Sequence, residues 1–187
     1  NVQSKLGDVL QYTYEPEKAE RHELKSTTHY EFQGYKRKDG SAGIRNEVWI
    51  IPTVGCVNSI ARAIEAESQQ FKTDHIDGIY AYSHPHGCSQ LGDDQTYTQK
   101  ILSGLVHSPN AGAVLVLSLG CENNQVDLMK KVIGEYDSDR VKFLVCQEVE
   151  DEIEAGVAII KTLCSYADQF YRQPCDASLL TIGLKCG

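Results

Sequence analysis

The sequence predicts an α/β fold of three layers, in which a parallel sheet of about five strands has helices on both faces. Two observations predict this fold. Apolar runs alternate with amphipathic stretches along the chain. The runs are continuously apolar, which is typical of strands that are covered on both faces, as in a parallel sheet. We therefore expect a Rossmann-like sheet, preceded by an extended N-terminal arm and a hairpin.

Five apolar runs are predicted to form strands, and the third of them is the most apolar. In chain order the runs cover residues 48–54, 78–83, 111–119, 141–145 and 179–183. Four helices are predicted between them, because apolar residues recur there at helical spacing. The helices cover residues 58–67, 93–107, 124–132 and 149–170. This alternation of strand and helix predicts right-handed crossovers between parallel strands.

Changes in polarity along the chain predict its domain organisation. Residues 1–33 are polar and show no period of 2 or 3.6, so we predict a linker or surface arm there. Asp39-Gly40 lies between two short segments and is a hairpin signal. Residues 34–177 form the predicted α/β domain. Residues 178–187 are predicted to be the first strand of a following domain.

The overall composition is that of a packed globular domain. Of 187 residues, 41% are apolar and 24% are charged, and the net charge is −8 at pH 7. An acidic chain is unlike a nucleic-acid-binding protein, and no apolar stretch approaches the roughly 18 residues that span a bilayer. We therefore expect neither nucleic acid nor a membrane as a partner. The single methionine, Met129, stands inside a chain that begins with Asn1, so we expect a longer protein.

Seven cysteines without a CxxC pair argue against a disulfide framework and favour the reducing cytoplasm. Three of them, Cys56, Cys88 and Cys121, each follow a glycine at the end of a predicted strand. Because parallel strands share one carboxyl edge, we expect these three cysteines on the edge where open α/β sheets bind ligands. Helix N-termini would lower their pKa values, and thiolates are good ligands for iron or zinc.

An apolar role is the alternative for each cysteine, because cysteine is among the most buried residue types. We favour this role for Cys164, inside the longest predicted helix, and for Cys175, which follows Pro174. Cys146 and Cys186 also follow predicted strands.

The segment after the second predicted strand contains the most side chains that could bind a metal or transfer a proton. His84, His86, Cys88 and Asp94 lie close together in sequence, which is compatible with a metal site or with acid–base catalysis. The simpler interpretation is that Asp94 or its neighbour caps the next helix. The two histidines are expected to point to opposite sides of an extended segment. After the third strand, Glu122 is either an acid–base group or a favourable charge at a helix start.

Several motifs resemble the altronate/galactarate dehydratase family, and the altronate branch more than the galactarate branch. They lie at residues 43–58, 83–94, 120–125, 151–156 and 183–187. Three motifs resemble the altronate branch in particular: Thr-Val-Gly-Cys-Val-Asn, Ser-Gln-Leu-Gly-Asp-Asp and Glu-Asn-Asn-Gln. The resemblance covers residues 34–187. His86 departs from the family pattern, in which tyrosine is usual, and this favours His84 as the catalytic histidine.

The resemblance implies a cytoplasmic hydro-lyase that dehydrates D-altronate to 2-dehydro-3-deoxy-D-gluconate in hexuronate catabolism. It implies iron(II) as the metal, with manganese as the alternative. Under this interpretation the metal ligands are His84, Cys88 and Cys121. The proton-transfer groups are His84, Glu122 and Asp94, and the substrate carboxylate is held by Arg45, Lys36 and Asn46, since a guanidinium matches a carboxylate bidentately.

Two other functions stay open. One is a galactarate dehydratase or a lyase acting on another hydroxy acid, such as sulfolactate. The other is a non-catalytic scaffold or assembly domain, with the catalytic groups elsewhere in the full-length enzyme. We expect a small sugar acid as substrate, a homo-oligomer, and no useful turnover of altronate by this chain alone.

Overall fold

The computed structural model describes residue 15 and residues 28–185. Most of the predicted arm (1–33) and Cys186 therefore lie outside the described residues. Within the described part of the chain, no helix has the length and apolar character needed to cross a membrane.

The predicted hairpin is confirmed. Strand β1 (Glu31–Lys36) pairs antiparallel with the short strand β2 (Ala42–Gly43). The turn between them places Gly40 at a φ of 86°, a left-handed conformation that favours glycine. The Asp39 carboxylate accepts hydrogen bonds from the backbone N–H (2.9 Å) and the hydroxyl (2.6 Å) of Ser41.

The central sheet is parallel, as predicted, with four strands. They are β3 (Glu47–Pro52), β4 (Gly78–Ala81), β5 (Ala111–Ser118) and β6 (Val141–Val145). Their order across the sheet is β4-β3-β5-β6, and all neighbouring pairs run parallel. Every residue of β3 and β5 is buried. This complete burial explains why their sequences are mainly apolar.

Four helices cover both faces of this sheet, which confirms the three-layer prediction. They are α1 (Asn58–Ser68), α2 (Asp93–Val106), α3 (Val126–Ile133) and α4 (Glu152–Ala167). Helices α1 and α4 pack together on one face, around Ile64, Ile160 and Leu163. Helices α2 and α3 pack together on the other face, around Leu102 and Met129.

The predicted fifth strand (179–183) is wrong. A strand forms earlier instead, as β7 (Arg172–Asp176), and it pairs antiparallel with β1 in a second, three-stranded sheet of order β2-β1-β7. Residues 180–185 form no strand, and Ile182 is 72% exposed. The apolar run of this segment is typical of a strand, but a strand also needs a neighbour to pair with. The described residues supply none for it.

Candidate functional site

The carboxyl edge of the parallel sheet brings together the loops that follow β3, β4 and β5. The connection after β3 leads through α1 to one face of the sheet, and the connection after β5 leads through α3 to the other. Because β3 and β5 are neighbours, their two connections leave the sheet in opposite directions and a crevice forms between them. Such a crevice is the usual ligand site of open α/β sheets. In this protein, side chains of the loop after β5 bridge the crevice.

Glu122 is the centre of that bridge. Its side chain is 2% exposed, and one carboxylate oxygen accepts hydrogen bonds from the hydroxyls of Thr53 and Ser118, both at 2.5 Å. The other oxygen accepts the backbone N–H of Gly120 at 2.6 Å. Burial by itself raises the pKa of Glu122, but these hydrogen bonds outweigh it and hold the pKa below its ordinary value. Glu122 is therefore an ionised group that joins the end of β3 to the end of β5.

Asn124 strengthens the same bridge, and sequence reasoning missed it. Its side-chain amide donates a hydrogen bond to the carbonyl oxygen of Thr53 at 3.2 Å. The next loop is held by Asn123, which was also missed and whose amide donates to the carbonyl of Cys88 at 2.7 Å. The signal for both was the Asn-Asn pair directly after Glu122, a polar run in the loop after the most apolar strand.

His84 lies beside this bridge and holds the loop after β4 against the end of β3. Its Nδ1 accepts the backbone N–H of His86 at 3.3 Å, so Nε2 carries the proton and donates to the carbonyl of Pro52 at 3.0 Å. Its own carbonyl accepts the side-chain amide of Asn58, the first residue of α1, at 2.8 Å. Burial lowers the pKa of His84, which favours the neutral ring that these contacts require.

The loops after β3 and β4 also meet through their backbones. The N–H of Gly55 donates to the carbonyl of His86 at 2.7 Å. A Cβ atom at position 55 would lie 3.0 Å from the carbonyl oxygen of His84, which explains why glycine precedes Cys56. The rings of His84 and His86 lie with centroids 5.6 Å apart. The expectation that these histidines point to opposite sides is therefore wrong, because the backbone N–H of His86 holds the His84 ring on its own side through Nδ1.

The three glycine-linked cysteines lie on one edge, as predicted. Cys56, Cys88 and Cys121 are exposed free thiols on the loops after β3, β4 and β5. The expectation that each sits at a helix N-terminus holds for Cys56, whose short 3₁₀ turn leads directly into α1. Cys88 and Cys121 lie in loops ahead of α2 and α3.

The other described cysteines are buried. Burial raises the pKa of Cys146 to about 11 and that of Cys164 to about 12, so both are neutral thiols. Cys175 is buried in β7. The predicted apolar role of Cys164 and Cys175 is confirmed.

A cavity of about 460 Å³ opens beside these loops, between the loop after β4 and the first turns of α2. His86, Gln90, Asp94 and Tyr97 are among the residues that line it. Asp94 is exposed in the first turn of α2, where a negative charge is favourable. The residue before the helix is Gly92, and no side chain caps its N–H groups. Because Asp94 is exposed and lines the cavity, its carboxylate can face a ligand there.

The predicted substrate ligands lie at the opposite edge. Arg45 precedes β3, a strand of six residues that spans about 20 Å. Arg45 is exposed and its Nε lies 3.8 Å from a carboxylate oxygen of Glu47. Lys36 ends β1, whose hairpin packs against the segment before β5 through a bond from Arg37 Nε to the carbonyl of Pro109 at 2.8 Å. The structure does not bring these residues together with His84 and Asp94.

Asn46 is fully buried at this amino edge, and its side chain forms hydrogen bonds that hold the fold together. Its amide donates to the carbonyls of His75 (2.8 Å) and Ala167 (2.9 Å), and its oxygen accepts Arg37 Nη1 at 2.9 Å. Arg37 lies between Lys36 and Lys38 in sequence, but it is 6% exposed. Burial lowers its pKa to about 10. Arg37 is thus bound to protein groups, and Asn46 has no free donor for a substrate.

The predicted metal ligands do not form a complete set. Both ring nitrogens of His84 are engaged by protein groups, so neither presents a lone pair to a metal ion. Among residue 15 and residues 28–185, no group of three or more His, Cys, Asp or Glu side chains is arranged to hold a metal. The described residues therefore do not fit an iron site, and the iron and manganese assignments stay predictions.

Comparison with known proteins gives a family match over most of the described domain. Residues 34–168 match the family model "D-galactarate dehydratase/Altronate hydrolase, second domain". The matched region begins within β1 and ends directly after α4.

Curated relatives share the whole length of this chain. It is 43% identical to the altronate dehydratase of Escherichia coli and 45% identical to that of Bacillus subtilis, over 100% of this chain in both cases. It spans 38% of the length of each of these relatives. A (2R)-sulfolactate sulfo-lyase subunit beta from Chromohalobacter salexigens is 30% identical over 88% of the chain and 39% of that protein.

Proposed function

Because the chain belongs to the D-galactarate dehydratase/altronate hydrolase family, we propose that it is the middle domain of a hydro-lyase that converts D-altronate to 2-dehydro-3-deoxy-D-gluconate. The observation that carries the proposal is the identity of 43% and 45% to two altronate dehydratases over the whole chain. A galactarate dehydratase of Escherichia coli shares 27% over 84% of the chain. Three exposed thiols in a chain with seven cysteines support a reducing, cytoplasmic setting.

The chemistry requires a base and an acid on the substrate carbons. The base removes the proton at C2, the C2–C3 double bond forms as the C3–O bond breaks, and the departing hydroxyl takes a proton and leaves as water. The enol then rearranges to the 2-keto acid. Proton transfers of this kind contribute about 10²- to 10⁴-fold to the rate when the groups are well positioned.

Asp94 is the sequence-predicted group that is best placed for proton transfer. It is exposed and borders the 460 Å³ cavity, together with His86. His84 and Glu122 are engaged in hydrogen bonds that hold the loops of this edge, so we assign them positioning roles beside the cavity. Arg45 and Lys36 lie at the amino edge, far from this cavity. In this proposal, another part of the full-length protein therefore supplies the cation that binds the substrate carboxylate.

A scaffold function is the second candidate, and the incomplete metal-ligand set favours it. If the metal and the acid–base groups are all elsewhere in the full-length protein, this domain only positions them. A purified chain of residues 1–187 without bound iron fits both candidates. Bound iron in this chain would show that a complete ligand set is present in it, and would contradict the scaffold function.

A parallel assay tests the substrate. The protein with the full length of its relatives is given D-altronate, galactarate and (2R)-sulfolactate under the same conditions, and formation of the 2-keto acid or of sulfite is followed. We expect kcat/KM for D-altronate to exceed the other two by at least tenfold. A higher value for galactarate or sulfolactate would contradict the proposal. The chain of residues 1–187 alone is expected to show no useful turnover.

A further inference from the structure

The loop after β5 contacts the loops after β3 and β4 through consecutive side chains. Glu122 and Asn124 reach the end of β3 at Thr53. Asn123, between them, reaches the loop after β4 at the carbonyl of Cys88. A short run of three polar residues thus ties together the ends of three neighbouring strands.

Different contacts hold the two halves of the loop after β4. Its first half is fixed to β3 and α1, through His84 with Pro52 and Asn58. Its second half contains Cys88 and Gln90 and carries one wall of the 460 Å³ cavity. Gln90 binds Thr98 at 2.7 Å, which links this half to α2.

Asn123 adds the contact that links this second half to the rest of the sheet edge. Its amide and the carbonyl of Cys88 are separated by 35 positions in sequence. The backbone carbonyl of Asn123 also accepts the side-chain amide of Gln95 in α2, at 3.3 Å. Asn123 therefore stands between the cavity loop and the first turns of the helix that carries Asp94.

We propose that Asn123 is a positioning residue of this cavity: its side-chain amide fixes the Cys88 segment, and thereby the relative placement of His86 and Asp94 across the cavity. Its side-chain amide donates to the backbone carbonyl of Cys88 and not to the side chains of His84, Glu122 or Asp94. It acts through the loop after β4. The inference takes from the proposed function only the assignment of the cavity as the site, and its test needs no substrate.

Asn123→Asp is the sharpest variant, because it keeps the shape of the side chain and removes the N–H donor. Asn123→Ala removes both the side-chain shape and the N–H donor. A single exposed hydrogen bond changes a local opening equilibrium by a small factor, so we expect amide hydrogen exchange in residues 87–92 to rise about two- to tenfold in both variants. Exchange in residues 53–57 is expected to stay unchanged. The melting temperature is expected to stay within about 2 °C of the wild-type value.

The ring proton resonances of the histidines provide a second readout. The signal of His86 is expected to shift in Asn123→Asp, and the signal of His107, which binds the carbonyl of Ile133 away from this edge, is expected to stay in place. Gln70→Glu is the matched control, because it also exchanges an amide donor for a carboxylate, but its bond to Glu67 is local to the end of α1. It is expected to leave residues 87–92 unchanged.

Two results would overturn the proposal. One is unchanged exchange in residues 87–92 of Asn123→Asp together with an unshifted His86 signal. The other is a uniform rise in exchange across all loops with a large fall in melting temperature, because it would show that Asn123 stabilises the fold in general.

Discussion

The two edges of the parallel sheet differ in the polar residues that they leave exposed. At the amino edge, Arg37, Arg140 and Asn46 direct most of their donors at backbone carbonyls; Arg140 alone binds the carbonyls of Val106 (2.8 Å), Ser108 (2.9 Å) and Ala111 (2.8 Å). At the carboxyl edge, buried groups such as Glu122 hold the loops, and exposed groups stand beside a cavity.

This difference separates residues that hold the fold from residues that are free to act. A buried charge is costly unless hydrogen bonds replace its water, and both arginines have such bonds. Burial lowers the pKa of both guanidiniums. Basic residues in a sequence suggest anion binding. Here the guanidiniums of Arg37 and Arg140 instead bind protein groups that hold the amino edge together.

The largest effect is expected for Asn46→Ala. The substitution removes the acceptor of Arg37 and the donor to the carbonyls of His75 and Ala167, all in a buried setting. Since each buried group that loses its partner costs about 1–3 kcal/mol, we expect the free energy of unfolding to fall by about 2–4 kcal/mol. Urea denaturation measures it.

Arg45→Ala is the control for Asn46→Ala, because it changes the neighbouring residue at an exposed position. Its effect on stability is expected to be within about 0.5 kcal/mol. Equal losses in the two variants would contradict the division between buried and exposed polar groups at this edge.

Glu122→Gln is expected to be the next largest change. The variant keeps the size of the side chain but exchanges one acceptor oxygen for an N–H₂ group, which faces either the hydroxyls of Thr53 and Ser118 or the N–H of Gly120. Hydrogen bonds to a charged acceptor contribute about 1.5–3 kcal/mol each, so we expect a loss of about 1–3 kcal/mol in unfolding free energy. A variant as stable as the wild type would show that Glu122 does not join β3 to β5.

The smallest effect is expected for the pH dependence that Asp137 gives to stability. Burial raises its pKa, but hydrogen bonds from Lys38, the backbone N–H of Asp139 and Tyr166 outweigh this and bring it to about 2. A carboxyl group with a pKa below its unfolded value stabilises the fold above that value, and the contribution is lost as the pH falls through the folded pKa.

Because Asp137 lies near the surface and solvent screens its ion pair with Lys38, we expect less than about 1 kcal/mol from this group. Stability falls between about pH 4 and pH 2 in the wild type, and this fall is shallower in Asp137→Asn. Thermal unfolding at several pH values measures the difference. A slope that is identical in both proteins would contradict the assignment.

Most of the fold was predictable, because burial on both faces leaves a direct mark on sequence. The runs at 48–54 and 111–119 are mainly apolar, and they contain most of the fully buried strands β3 and β5. Strand β7 was not predictable, since its sequence Arg-Gln-Pro-Cys-Asp is polar and includes a proline. It forms because β1 offers an edge to pair with, and a proline is tolerated in an edge strand.

The candidate site was predictable as a location but not residue by residue. Parallel strands share a carboxyl edge, so the placement of Cys56, Cys88 and Cys121 followed from the alternation of strands and helices. The roles of His84 and Glu122 depend on partners at Pro52, the last residue of β3, and at Thr53, which follows it. Such long-range hydrogen bonds leave no pattern in the sequence near the residue that makes them.

The central claim is that the carboxyl edge, and not the amino edge, carries the activity. Turnover of D-altronate by full-length Asp94→Asn and Arg45→Ala proteins tests it directly, because both side chains are exposed and neither variant is expected to unfold the domain. We predict that kcat/KM falls at least about 100-fold in Asp94→Asn and less than about threefold in Arg45→Ala. A loss of about 100-fold in Arg45→Ala, with normal turnover in Asp94→Asn, would contradict the claim.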